Sequence, residues 1–135
     1  MKLDSVEMLE RILAEIPSCI FVKDVDCKYV FATHYWKHLN GSENADFDIA
    51  GKTDLDIRKD KENAKKALEA DRHIIETGES LDYTIREDTD GVVEYLQIMK
   101  RPVRDRDGKI VGIVGLINDI TKQMELEEQL KAIFM

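Results

Sequence analysis

The stretch KIVGIVGLINDIT, residues Lys109 to Thr121, decides the fold. A polar turn, Arg104-Asp105-Arg106-Asp107-Gly108, precedes it. Its β-branched and apolar run reads as a strand. After Asp119-Ile120-Thr121 the composition changes at once to a charged helix. A strand that hands over directly to a helix can pass a change in a sheet to whatever follows it.

Both alternating sets of this strand are apolar: Val111, Ile113 and Ile117 against Ile110, Val114 and Leu116. Val92 to Val103 repeats the pattern, with Leu96 and Ile98 on one face and Val93, Tyr95 and Met99 on the other. A solvated face would be polar, so both faces of the sheet need cover. The middle helices can cover one, and helix one or a second copy of the chain the other.

The first helix is expected over about residues 3 to 15, with Leu3, Val6, Leu9, Ile12, Leu13 and Ile16 in one stripe. Pro17 ends it, because the residue before a proline is pushed out of the α region. Two short runs, Cys19 to Lys23 and Lys28 to Ala32, read as a hairpin about the link Asp24 to Cys27. His34 to Leu39 reads as a brief helix stopped by Asn40-Gly41, and Ser42 to Ala50 as a polar connector. Thr53 or Asp54 is placed to cap a short helical turn through Ile57.

Asn63 to Thr77 is the clearest helix, with Ala64, Ala67, Leu68, Asp71, Ile74 and Ile75 on one face and Gly78 at the C-cap position. Leu81 to Glu87 and Val92 to Val103 follow as strands about the turn Asp88 to Gly91. Pro102 suits an edge or a bulge. The order is helix, two strands, short helices, long helix, three strands, helix, which predicts an α+β fold on an antiparallel sheet.

Composition narrows the function. A chain of 135 residues has room for one domain with one core. The net charge of −8 argues against a nucleic-acid surface and against anionic lipid. No apolar run approaches the roughly 20 residues that span a bilayer, and the acidic, amphipathic N-terminus is no signal peptide. Cys19 and Cys27 have neither metal-ligand spacing nor a cross-strand pairing, and read as two reduced cysteines of a cytoplasmic protein. No nucleophile and base stand at a supporting spacing, and there is no phosphate loop, so no catalysis is expected.

Gly51-Lys52-Thr53-Asp54 with Asp56, Thr77-Gly78-Glu79, Asp88 to Gly91, Lys100 to Asp105, Asp107-Gly108-Lys109 and Asp119-Ile120-Thr121, in this order, resemble a PAS sensor domain of bacterial signalling proteins. The resemblance spans about residues 7 to 125. It implies a five-stranded antiparallel sheet in the order 2-1-5-4-3, with helices over one face enclosing a small cavity. Residues 1–17 are then an N-terminal helix, 18–120 the sensor domain and 121–135 the start of a linker helix. The chain departs from the family at Thr33-His34, where many members carry Asn, and at Asn40, where an aromatic is usual.

The resemblance also assigns sites. Phe21, Trp36, Leu96, Ile98 and Ile117 fall at inward positions of the resemblance, and Tyr83 shares the face of Leu96 and Ile98 if the Thr89-Asp90 turn sets the register; these residues suit ligand contact and plain core packing equally. Asp54 stands where flavin photosensors of this fold carry their reactive Cys, which argues against a cysteinyl-flavin. Asp54 itself reads as a structural cap or a ligand contact. Haem-binding members use a His near the position of Ala67 or Leu68; His73 lies on the opposite side of that helix, so haem is disfavoured. His34 and His38, four apart, could share a helix face, but no third metal ligand is evident. Lys100, Asp119 and Thr121 are read as the signal junction, with Lys100 and Asp119 fixing it electrostatically.

Beyond Thr121, Leu126, Leu130 and Ile133 have the spacing of a helical seam. This predicts a homodimer through the terminal helices, the alternative being a single helix that folds back onto the domain. The pattern stops on Phe134-Met135 with no cap, as in a fragment of a longer protein, and the resemblance implies a histidine kinase or a diguanylate cyclase as the next domain. The expected function is the relay of small-molecule or partner binding to that domain. The alternatives are a ligand-free dimerisation module and a small enzyme using Asp54 or His34 as base.

Overall fold

The computed structural model describes residues 5–34 and 47–134. The expected helix at His34 to Leu39, with Trp36 and His38, falls beyond His34 outside the described residues, as does Asn40. The described elements are α1 (Ser5–Ala14), β1 (Cys19–Lys23), β2 (Tyr29–Ala32), α2 (Asp54–Ile57), α3 (Lys61–Thr77), β3 (Leu81–Thr89), β4 (Val92–Arg104), β5 (Ile110–Asp119) and α4 (Thr121–Phe134).

The strands form one antiparallel sheet in the order β2-β1-β5-β4-β3. This is the expected topology. It puts β5 at the centre, between the first and the second hairpin. The expected long helix starts two residues early, at Lys61, because the Asp60 carboxylate caps it by accepting from the Asn63 amide at 3.1 Å. It ends at Gly78, in the left-handed region (φ 77°). The β3–β4 turn is tighter than the sequence suggests. Strand pairing continues to Thr89 and Val92, and Asp90 (φ 54°) and Gly91 (φ 85°) alone make the loop. Two consecutive left-handed residues match the twist of the flanking strands. Pro102 lies beyond the last β3 pair, Leu81–Lys100, so β4 has no β3 neighbour there, and a register shift follows at Val103/Arg104.

The register aligns inward side chains in rows across the sheet. Cys19, Ile117, Ile98 and Tyr83 make one row, and Phe21, Gly115, Lys100 and Leu81 the next. On the far side of the first row lie Asp119, Leu96 and Ile85. The core packs on these rows, with Tyr29, Ile49 and Ile57 closing over Phe21, Leu96, Ile98 and Ile117. Ala64, Leu68 and Ile74 of α3 are buried as expected of its apolar stripe.

The outer face carries Ile20, Val114, Leu116 and Met99, and there the cover is thin. Leu13 of α1 is the helical contribution to an apolar groove of about 300 Å³ over these residues, with Arg101 at its rim. Among the described residues, α1 and α4 bury no side chain, and Val6, Leu9, Ile12, Leu126, Leu130 and Ile133 are exposed.

Gly115 is where the central strand yields to the core. A Cβ there would overlap the Phe21 ring directly opposite. Gly115→Ala therefore pushes the ring off its seat and costs about 1–3 kcal/mol. The expected result is a lower urea midpoint at unchanged m-value. An unchanged midpoint would show that Phe21 does not depend on that opening.

Candidate functional site

The interior is not a plain hydrophobic core. Six buried ionic side chains run through it with alternating charge. Lys100 Nζ donates to Asp71 Oδ1 at 2.6 Å, and Asp71 Oδ2 accepts from Lys23 Nζ at 2.5 Å. Lys23 Nζ also donates to Asp54 Oδ2 at 2.5 Å. Arg58 follows, 3.7 Å from Asp54 Oδ1, and its Nη2 and Nε donate to Glu87 Oε1 at 2.8 and 3.1 Å. Lys23, Asp54, Arg58, Asp71, Glu87 and Lys100 are each at most 3% exposed.

The elements explain the placement. Lys23 shares the inward face of β1 with Cys19 and Phe21, and Lys100 shares the inward face of β4 with Leu96 and Ile98. Asp71 sits on the buried stripe of α3. Asp54 is the first residue of α2 and points inward, while Thr53 is the N-cap; Asp56 closes that turn by accepting from the Thr53 amide at 2.9 Å. The expected cap role of Asp54 is thus corrected. Its carboxylate accepts instead from Lys23 and, at 2.9 Å, from the Tyr29 hydroxyl.

Aromatic rings line the same chain. Lys23 Nζ stands 4.6 Å from the centre of the Tyr29 ring and 5.3 Å from that of Phe21; Lys100 Nζ stands 5.6 Å from that of Tyr83. Burial disfavours ionised Asp54, but Lys23 and Arg58 outweigh it and hold the carboxyl below its ordinary value. Burial, and then the negative Asp54, push the Tyr29 phenol well above its ordinary value. The Tyr83 phenol is pushed up to about 12, chiefly by burial. Its hydroxyl has no hydrogen-bond partner among the described residues.

A cavity of about 170 Å³ opens beside the inward rows at the other end of the sheet. Cys19, Leu96 and Ile117 form its apolar floor, and Pro17, His34, Glu94 and Asp119 its mouth. Burial raises the Cys19 thiol to about 11. His34 Nε2 lies 2.9 Å from the Ala14 carbonyl and 3.0 Å from that of Ile16, tying the end of β2 to the exit of α1. Asp119 Oδ1 accepts from the Thr121 amide at 2.9 Å and from its hydroxyl. The junction is tied back to β4 at Tyr95, whose amide donates to Thr121 Oγ1 at 2.9 Å and whose carbonyl accepts from the Ile120 amide at 2.8 Å.

The expected site residues therefore divide into groups. Leu96 and Ile117 line the cavity; Phe21 and Ile98 are packed in the adjacent core with Tyr83 against it. Asp54 belongs to the ion chain, and Trp36 is outside the described residues. Asp119 and Thr121 make the junction, but Lys100 does not join them. It pairs across the sheet with Gly115, whereas Asp119 pairs with Leu96 two rows away, and its ammonium is held by Asp71. His73 is exposed and bonded to Glu79 at 2.9 Å, as its helical phase predicts. Cys19 and Cys27 are buried free thiols. Lys23, Arg58, Glu87 and Tyr95 were not expected at the site.

The PAS fold family profile matches residues 13–125, and the chain belongs to that family. A diguanylate cyclase of Vibrio cholerae serotype O1 is 32% identical over 124 residues, covering 90% of this chain and 38% of that protein. The Vibrio cholerae VqmA dimer without its target DNA, a LuxR-type receptor, superimposes with a TM-score of 0.72 at 27% identity, over 90% of this chain and 53% of that one. VqmA bound to DPO superimposes with a TM-score of 0.70 at 27% identity, over 85% and 57%. The chain thus spans well under two thirds of each.

Two outcomes test the ion chain. Asp71→Ala leaves Lys23 and Lys100 without their shared carboxylate and is expected to cost about 3–5 kcal/mol, read by chemical denaturation; a loss under about 1 kcal/mol would refute the ion chain as a structural element. Asp54 has a lowered folded pKa, so its contribution is present above its ordinary value of 3.8 and is lost as pH falls through the lowered one. The stability gap between wild type and Asp54→Asn should be constant near neutrality and narrow in acid. A gap that widens in acid contradicts the assignment.

Proposed function

We propose that this PAS domain is a sensory module that relays occupation of its interior cavity to an output domain following α4. The observation that carries the reading is that Asp119 is shared: it lines the mouth of the cavity and fixes Thr121, the first residue of α4. An occupant of the cavity touches the group that sets where the outgoing helix begins. A ligand preferring one arrangement of this corner shifts the population of helix positions.

The relatives support a signalling role. VqmA binds DPO, and the diguanylate cyclase has most of its length outside the matched part. A cyclase or kinase as the output domain of this protein is our proposal by analogy with them. The charge of −8 favours a domain that leaves any nucleic-acid contact to other parts of its protein. No described helix is long and apolar enough to cross a membrane, and we place the domain in the cytoplasm. Asp54 is committed to Lys23 and Tyr29, and His34 to the end of α1, which leaves neither poised as a base. We assign this domain no reaction of its own.

One observation favours a dimer as part of the same reading. The outer groove and the exposed stripes of α1 and α4 are apolar surfaces on the two elements that enter and leave the domain. A second copy pairing through these helices would cover them and give the relay a two-fold axis. A ligand-free dimerisation module shares this feature and differs in having no use for the cavity.

Leu96→Phe fills the cavity as an occupant would. Amide exchange at Tyr95 and Ile120 is expected to rise about three- to tenfold, the effect of weakening one hydrogen bond, while exchange within α3 stays at the wild-type level. If those two amides keep their protection, the cavity is not coupled to α4 and the dimerisation reading takes its place.

A further inference from the structure

We infer that α1 is a second input to the junction with α4, and that Ser18, Thr33 and His34 are positioning residues that carry a displacement of α1 to Asp119. The inference rests on the relay reading only in taking α4 as the output.

The route begins where α1 ends. The last carbonyls of a helix need donors from outside it, and Pro17 has no amide to offer them. The His34 ring, just past the end of β2, supplies one. Its Nε2 lies 2.9 Å from the Ala14 carbonyl and 3.0 Å from that of Ile16. Carbonyl oxygens only accept, so this nitrogen carries a proton and shares it between the two. The preceding residue ties β2 to the start of β1. Thr33 Oγ1 accepts from the Ile20 amide at 2.9 Å and donates to the Ser18 carbonyl at 3.4 Å, and the Thr33 amide donates to the Ile20 carbonyl at 2.9 Å.

The route ends where α4 begins. Cys19 pairs with Ile117, which sets Ser18 beside Asn118, and Ser18 Oγ donates to Asn118 Oδ1. Asn118 adjoins Asp119, whose carboxylate holds Thr121 at the first turn of α4. The entering and the leaving helix therefore meet at one corner, and Pro17, His34 and Asp119 line one cavity mouth. Among the described residues α1 buries no side chain, and Leu13 alone of it lines the outer groove. These polar ties thus supply much of the attachment of its exit. A partner gripping the exposed Val6, Leu9 and Ile12 would pull on that exit, and through it on Asp119. By linkage, an occupant at the mouth would alter the partner's grip in return.

Leu9 is exposed, and Leu9→Pro breaks α1 in its middle without opening the core. Hydrogen exchange of the full chain is expected to rise about three- to tenfold at the Ile120 and Thr121 amides, with α3 at the wild-type level. The double variant Ser18→Ala, His34→Ala severs the route. In that background Leu9→Pro should change the same amides by less than about twofold, each measured against its own parent. A merely structural role for Ser18 and His34 would leave the two responses equal. Leu9→Gly, which weakens α1 by about 1 kcal/mol, decides by the same criteria if the proline variant does not fold. Unchanged amides in Leu9→Pro overturn the inference, as does a rise of equal size with the route severed. A rise that reaches α3 equally reports general loosening and overturns it too. Leu96→Phe separates the two readings. If it loosens the junction amides and Leu9→Pro does not, the α1 input fails alone; the reverse result fails the cavity relay alone.

Discussion

The rest of the structure depends on the contact of Lys23 with two carboxylates from two different helices. Asp54 comes from α2 and Asp71 from α3, and Lys23 comes from the inward face of β1. Apolar packing alone would allow these helices to slide over the sheet, because burial is non-directional. Two short hydrogen bonds to one ammonium do not allow that. Lys100 adds a second point of attachment for α3, and Arg58 with Glu87 extends the series to β3. An ionic interior of this kind contributes less to net stability than a hydrophobic one of equal volume, since desolvation offsets much of the attraction. Its contribution here is registry: where the helical layer sits, and hence which rows of the sheet it leaves uncovered.

That division of the inward face underlies the relay proposed above. The ion series occupies the end of the sheet marked by Lys23 and Lys100, and the cavity occupies the end marked by Leu96 and Asp119. The row of Cys19, Ile117, Ile98 and Tyr83 lies between them. A molecule resting on that row has a rigid wall on one side and the hydrogen-bonded corner of Tyr95, Asp119 and Thr121 on the other. The corner is held by a few exchangeable bonds, whereas the wall is held by buried ion pairs. In the relay proposed above, motion driven by an occupant would go toward the corner.

Much of this was legible in the sequence. The strand pairing followed from period-two alternation, the turn residues and the family motifs, and the order of strands agrees throughout. The Asp-Ile-Thr exit was readable because its parts are adjacent in the chain and bond locally. The ion series was not read, because it joins residues from Lys23 to Lys100 through tertiary contacts alone. One signal was available. Asp71 stands in the apolar stripe of α3 beside Ala67, Leu68 and Ile74, and a carboxylate there requires an inward-facing cation. Lys23, in phase with Cys19 and Phe21, was the answer. Lys100 was expected at the junction because the family often carries a Lys and an Asp near the sheet end, whereas the register puts it two rows from Asp119. Tyr95 left no trace in the sequence, since it acts through its backbone and any residue supplies the same groups.

The nine residues of β3 form one rim of the sheet, with one side of their backbone unpaired by any strand among the described residues. Side chains at the start of α3 cover part of this rim, Asn63 donating to the Arg86 carbonyl at 2.9 Å and Asp60 accepting from the Asp88 amide at 3.4 Å, and the remainder is where another molecule can add a strand. Along β3 the outward positions are Asp82, Thr84, Arg86 and Asp88, and Arg101 of β4 bonds to Asp82 at 2.7 Å. Charge of both signs along that margin discourages sheet-to-sheet growth into fibres. The dimer proposed above would then form away from the border of the sheet, at its open apolar side and the helices that enter and leave it.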